Sequence, residues 1–282
     1  MKLPERILVL APHPDDEVLM CAGVIRRAVL QGSRVFVAVV SSGGYLCPDF
    51  SEGNRRMAES LDAMAFLGVK EEDVFLMGYP DTGMEKELSF LTTLQETTDL
   101  DLLFPTERGE TTHGIAGGKQ DFRMERSGRH ARITKGDFLA DLTELIQIAN
   151  PQLIVTSSRA DLHGNHVALY FFVSDLVKKI YAYNAEKPII WESLVHSSLG
   201  DDVWPIPDTP FDDFSFVPGL EAFGQSWEQR VRIPMPEEML GTSLENSMKY
   251  QAIQKYLCVV PEIQRYFQAF VKKEEIFWET VL

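Results

Sequence analysis

Apolar and polar residues are distributed along the first third of the chain with two different periods. Arg6 to Ala11 (RILVLA) is a short apolar run of strand length, and Val35 to Ser41 (VFVAVVS) is a second, rich in β-branched side chains. Between them Val18 to Leu30 reads as a helix that stops at Gln31-Gly32. Gly43-Gly44 marks a turn. Arg55 to Leu67 then sets Met57, Leu61, Met64 and Leu67 at helical spacing and stops at Gly68, and Val74 to Met77 is a third short strand. Continuous apolar strands separated by helices are covered on both faces, which predicts parallel βαβ units.

Residues 105 to 134 break this alternation with a polar, glycine-containing stretch of little periodicity. A loop of that length in a compact domain is functional or disordered. The alternation then resumes: a helix over Asp137 to Ala149, a strand over Gln152 to Thr156, a helix over His166 to Tyr181 and a strand over Ile189 to Val195. Residues 200 to 225, rich in Asp, Pro and Phe, read as an irregular excursion. Leu244 to Trp278 reads as one broken helix or two, interrupted by Pro261. With no repeat, low-complexity segment or linker, residues 1–282 are expected to form a single domain.

Composition narrows the partners. Hydrophobic residues make up 45% of the chain, enough for a substantial core, and the formal net charge is −15. That charge argues against a nucleic-acid backbone or an anionic membrane surface as the main partner. The three cysteines, Cys21, Cys47 and Cys258, are widely spaced and form no CxxC pair, so a disulfide framework or thiolate zinc site is not expected. MKLPERILVL has no long apolar signal core, and no apolar run is long enough to span a bilayer. The chain therefore reads as soluble and cytoplasmic, with no membrane partner.

Chemistry concentrates at two strand ends. APHPDDE, residues 11 to 17, follows the first strand and puts a histidine and three acids where a helix begins. Acids are ordinary first-turn residues, favoured by the helix dipole, so this stretch alone is evenly balanced between a helix start and a site. QLIVTSSRADLHGNH also runs from a strand into a helix and ends on His163 and His166, while the whole chain has six histidines. In an open parallel sheet, ligands bind beyond the carboxyl ends of the strands. His13, Asp16 and His166 would make a two-histidine, one-carboxylate set with a position left for water, as in catalytic zinc sites.

HPDDE after a first strand, with a later H-x-x-H after another, resembles the PIG-L (LmbE-like) family of metal-dependent N-deacetylases. The resemblance covers most of the chain. Arg56-Met57-Ala58-Glu59 with Ala63 and Leu67-Gly68, GYPDTGM at 78 to 84, Lys249 with YQAIQKY, and FVKKEEIFWE are similar to further family segments. It implies an α/β, Rossmann-like, mostly parallel sheet with helices on both faces and the metal site at the carboxyl ends of the strands. It implies removal of an N-acetyl group from an N-acetylglucosamine-containing or related sugar conjugate. By the same resemblance His13, Asp16 and His166 bind the metal, Zn²⁺ or alternatively Fe²⁺. Asp15 is the general base, His163 stabilises the oxyanion or protonates the leaving amine, and Arg56 and Asp81 hold sugar hydroxyls. The family's second motif is usually H-x-D-H; here Asn165 stands in place of its Asp, and cannot carry that negative charge.

Other readings stay beside this one. The same metal chemistry serves an amidase of a larger conjugate, and Asn165 is the one feature favouring a catalytically impaired sugar-binding module. A phosphoesterase would want two metals or several basic phosphate contacts. His113 and His130 read as loop residues, and His196 as a pocket or buried histidine in equal measure. Trp204, Phe211, Phe214 and Phe216 read as local packing, with a homo-oligomer left open. Cys47 follows the second strand near the expected pocket.

Overall fold

The computed structural model describes residues 2–45, 49–106, 109–184, 186–257 and 261–280; Cys47 and Cys258 lie outside them. Its strands are β1 (Arg6–Ala11), β2 (Arg34–Ser41), β3 (Val74–Tyr79), β4 (Leu153–Ser157), β5 (Ile189–Ser193), β6 (Val231–Pro234) and β7 (Glu274–Thr280). They form one seven-stranded sheet in the order β3-β2-β1-β4-β5-β7-β6. The first five are mutually parallel, and β7 and β6 close one edge antiparallel. The α/β, mostly parallel expectation is met.

The strands are apolar on both faces because both faces are covered. Ile7, Val9 and Ala11 of β1 join one buried cluster, and Leu8 and Leu10 join another on the opposite side. The helices α1 (Asp16–Leu30) and α2 (Ser51–Leu67) contribute to the first cluster. The helices α3 (Phe90–Glu96), α5 (Lys135–Ala149) and α6 (Gly164–Ile180) contribute to the second. Each fully buried Leu, Ile or Val on these faces is worth about 1.5–3 kcal/mol over its exposed form. The helix stop read at Gly68 is a left-handed cap, φ 90°, a conformation that glycine adopts without a Cβ penalty.

Two expectations need correction. The segment 105–134 is not structureless: it holds α4 (Phe122–Ser127), and bridges pair Leu103 with Thr134 and Thr111 with Arg132. Six residues are too few for helical periodicity to stand out. The tail is not helical throughout. It contains α8 (Met248–Ile253) and α9 (Pro261–Gln268), but Glu274–Thr280 is the strand β7. KKEEIFWE offers helix-forming charges, yet pairing with β5 and β6 overrides them. The short α7 (Glu237–Leu240) and β6 carried no readable signal.

Candidate metal centre

The strand order reverses between β1 and β4, and the crevice there is where open α/β sheets bind ligands. Both sequence motifs fall on this crevice. The turn after β1 supplies His13, Asp15 and Asp16; the turn after β4 supplies Asp161, His163 and His166. A cavity of about 380 Å³ opens there, its floor formed by His13, Asp15, Asp16, Arg56, Asp81, His163 and His196. Tyr45, Met84, Ile263 and Phe267 give it an apolar collar.

Three potential ligand atoms meet beneath the cavity. Asp16 Oδ2 lies 3.1 Å from His13 Nδ1 and 3.2 Å from His166 Nε2. His13 Nδ1 and His166 Nε2 are 3.1 Å apart. Atoms crowded this closely share a proton or a cation between them. Ligands on one tetrahedral cation with bonds of 2.0–2.2 Å sit about 3.4 Å apart, so the residues present fit a divalent metal. His163 is close by: one ring nitrogen from each of His13, His163 and His166 lies within 4.8 Å of the other two.

The surroundings fix each group. Asp16 is buried, which alone would raise its carboxyl, but His166 and His13 outweigh burial and hold it well below the usual range. Burial likewise opposes charge on His166, yet Asp16 and Asp161 raise it well above an ordinary histidine. Asp161 Oδ2 accepts from His166 Nδ1 at 3.1 Å and from the Val195 and His196 amides, both at 3.0 Å. A carboxylate behind a ligating histidine sets its tautomer and orientation. Asp161 carried no role in the sequence reading; an acid preceding the histidine pair at a strand end was the available signal.

Asp15 turns the other way from Asp16. Its Oδ2 accepts from Arg56 Nη2 at 2.6 Å, and Arg56 is anchored on the carbonyls of Gly43 (2.6 Å) and Pro14 (2.9 Å). Burial pushes the Asp15 carboxyl well up; Arg56 opposes this, while Asp16 and Glu17 add to it. Its backbone has φ 118°, which costs about 1–3 kcal/mol for a residue with a Cβ and marks an over-determined position. The acids of APHPDDE are therefore not ordinary helix-start residues: Asp15 occupies the N-cap of α1 but makes no side-chain cap bond.

His163 is largely buried, and burial, then the neighbouring His13, His166 and His196, drive its pKa far below an ordinary histidine. It is neutral. Its Nδ1 accepts the Asn165 amide at 3.2 Å, leaving the proton on Nε2. Asn165 is buried. Its Oδ1 accepts from the Ser89 hydroxyl (2.6 Å) and the Leu91 amide (3.3 Å), so its NH₂ faces His13 Nε2 at 3.1 Å. Gly164 lets α3 approach this turn: a Cβ would come within 2.7 Å of Ser89 Cβ and 3.0 Å of Lys86 Cα.

Asp81 is buried at the cavity floor; its Oδ1 accepts the Gly83 amide at 3.2 Å and lies 3.8 Å from His13 Nε2. His196 lines the cavity, with Nδ1 on Asp201 at 3.0 Å and its ring stacked on Tyr266. The loop residues His113 and His130 bond elsewhere, to the Gly114 carbonyl and to Asp121. Trp204 packs on Phe214 and Phe270 in the core.

A parallel α/β protein with a buried histidine–carboxylate centre at its switch point is the class that fold and site define. The sequence profile of the PIG-L family, described as GlcNAc-PI de-N-acetylase, matches residues 8–177, more than half of the chain. The chain belongs to this family. Among solved structures it is similar to teicoplanin deacetylase in its zinc-inhibited form, at 16% identity, covering 98% of both chains with a TM-score of 0.57. The A40926 pseudoaglycone deacetylase gives 17% identity, 97% and 96% coverage and a TM-score of 0.55. The N,N'-diacetylchitobiose deacetylase of Pyrococcus horikoshii gives 14%, 98% and 84%, and 0.51. At these identities the likeness is one of fold. A glucosamine-6-phosphate deaminase-like protein of Bacteroides thetaiotaomicron is 41% identical over 46 residues, spanning 16% of this chain and 7% of that protein.

Proposed function

We propose that this chain is a metal-dependent hydrolase that removes an N-acetyl group from an N-acetylglucosamine-containing or related sugar conjugate. The observation that carries the reading is the triangle of His13 Nδ1, Asp16 Oδ2 and His166 Nε2, with edges of 3.1–3.2 Å, beside a second carboxylate that does not join it. His13, Asp16 and His166 would hold the metal, Zn²⁺ first and Fe²⁺ as the alternative. A metal bound there polarises an amide carbonyl and lowers the pKa of water to about 7.

The chain's own residues supply the rest. Asp15, held by Arg56 at 2.6 Å, takes the proton from the attacking water. Having taken that proton, it can return it to the departing amine nitrogen as the C–N bond breaks. His163, whose Nδ1 accepts the Asn165 amide, donates Nε2–H to the developing oxyanion. Between the two roles expected for His163, this favours the oxyanion. Arg56 and Asp81 at the floor are the candidate contacts for sugar hydroxyls. The apolar collar of Tyr45, Met84, Ile263 and Phe267 suits an apolar aglycone and favours, as a second reading, an amidase of a larger conjugate. The named substrates of the structural relatives, teicoplanin and diacetylchitobiose, are compatible with either.

The test is free-amine release from a panel of N-acetylglucosamine conjugates and bulkier N-acyl analogues, using metal-loaded, chelated and Asp15→Ala protein side by side. Release by the loaded wild type alone is expected. Sugar binding that survives both chelation and Asp15→Ala, without release from any conjugate, would move the protein to the sugar-binding module that Asn165 allows.

A further inference from the structure

Asp15 at an N-cap would ordinarily adopt an extended backbone and turn its carboxylate onto the first amides of the helix. Here φ is 118° and ψ −35°, and the carboxylate faces the cavity instead. The carbonyl of its peptide, that of Pro14, accepts from Arg56 at 2.9 Å; the N–H is held by groups that the hydrolysis does not use. The Asp15 N–H donates to Glu17 Oε2 at 3.0 Å. The other oxygen of Glu17, Oε1, accepts from the Tyr256 hydroxyl at 2.6 Å and from the Ser60 hydroxyl. All three side chains are fully buried. Ser60 comes from α2, and Tyr256 follows α8, 239 residues from Glu17.

Three donors from three parts of the chain converge on one carboxylate. Glu17 Oε2 therefore has little freedom, and neither has the peptide hydrogen bonded to it. On the reading of Asp15 as the base, we infer that Glu17, Tyr256 and Ser60 are positioning residues that hold the Asp15 backbone at positive φ, diverting its carboxylate from helix capping to the reacting water. Tyr256 closes the YQAIQKY segment, beyond residues 8–177 that the family profile matches.

Tyr256→Phe removes one hydroxyl and keeps the ring; Ser60→Ala is a milder second variant. In metal-loaded Tyr256→Phe, kcat should fall at least tenfold with KM within twofold and metal content unchanged. The Asp15 amide should exchange its hydrogen at least tenfold faster. Glu17→Gln, which keeps an acceptor for the Asp15 N–H and can donate to both hydroxyl oxygens, should retain most of the turnover. Added to Asp15→Asn, Tyr256→Phe should leave the residual rate within twofold, since neighbours acting as a unit are not additive. Wild-type kcat and amide exchange in folded Tyr256→Phe would overturn the inference. So would an equal fall in kcat in both backgrounds, the mark of a role in stability alone. If wild-type protein releases no amine from any conjugate, the deacetylase reading fails separately, and the Asp15 amide exchange decides the clamp.

Discussion

At the scale of single residues, two adjacent carboxylates take different partners because their side chains leave the backbone in different directions. Asp16 is drawn to His13 and His166, and Asp15 to Arg56. Asp15→Ala should cut turnover about 10²–10⁴-fold with metal stoichiometry intact, whereas His13→Ala or His166→Ala should lose the metal; activity assays with elemental analysis separate the two. Asp161 braces His166 at 3.1 Å. Asp161→Asn should weaken metal affinity about 10–100-fold in a chelator competition, and equal affinity would deny the brace. Asn165 offers His13 Nε2 a donor where a carboxylate would accept. Asn165→Asp should therefore tighten metal binding in the same assay.

At the scale of elements, the site depends on how helices meet strand ends. Tyr79, the last residue of β3, donates to Asp141 on α5 at 2.8 Å, and Arg123 of α4 reaches the same carboxylate at 2.5 Å. These bonds tie the polar segment around α4 to the sheet. Burial raises the Asp141 carboxyl from 3.8 to about 6, against the pull of Tyr79 and Arg123. The native state thus holds this proton more tightly than the unfolded chain. Its contribution to stability is fully present below pH 4 and is lost as pH rises through about 6. Urea denaturation should find wild type losing about 2 kcal/mol relative to Asp141→Asn between pH 4 and pH 7. A difference that stays constant with pH would refute the assignment.

At the scale of the whole molecule, the two ends of the chain complete one another. The helix α1 is interrupted at Cys21, φ −154°. The backbone groups around the break are satisfied by a buried ion pair from the C-terminal segment. Lys249 donates to the Leu19 carbonyl at 3.1 Å, and Glu275 accepts the Gly23 and Val24 amides at 2.8 Å each. Lys249 and Glu275 themselves meet at 2.7 Å. Lys249→Met would leave a buried carboxylate without its cation and should cost about 3–5 kcal/mol in chemical denaturation. Lys249→Met/Glu275→Gln, which removes the orphaned charge, should recover part of that loss.

The sequence by itself determined the parallel half of the fold. Runs such as RILVLA and VFVAVVS, short, apolar and between helices, suit strands buried on both faces, and the stops at Gln31-Gly32 and Gly68 are local chemistry. It also marked the two turns that meet at the crevice, though only as a pair: APHPDDE alone read equally well as a helix start. It left β7 unread, because the charged KKEEIFWE is pulled into the sheet only by its neighbours β5 and β6. The Asp161 brace and the Tyr256–Glu17 tether were equally illegible, each being a hydrogen bond between segments with no shared local signal. Tertiary structure alone decided that Asp15 faces the cavity rather than capping α1. That choice lies in a backbone angle held by Glu17, which is itself held by Ser60 and Tyr256 far away in the chain.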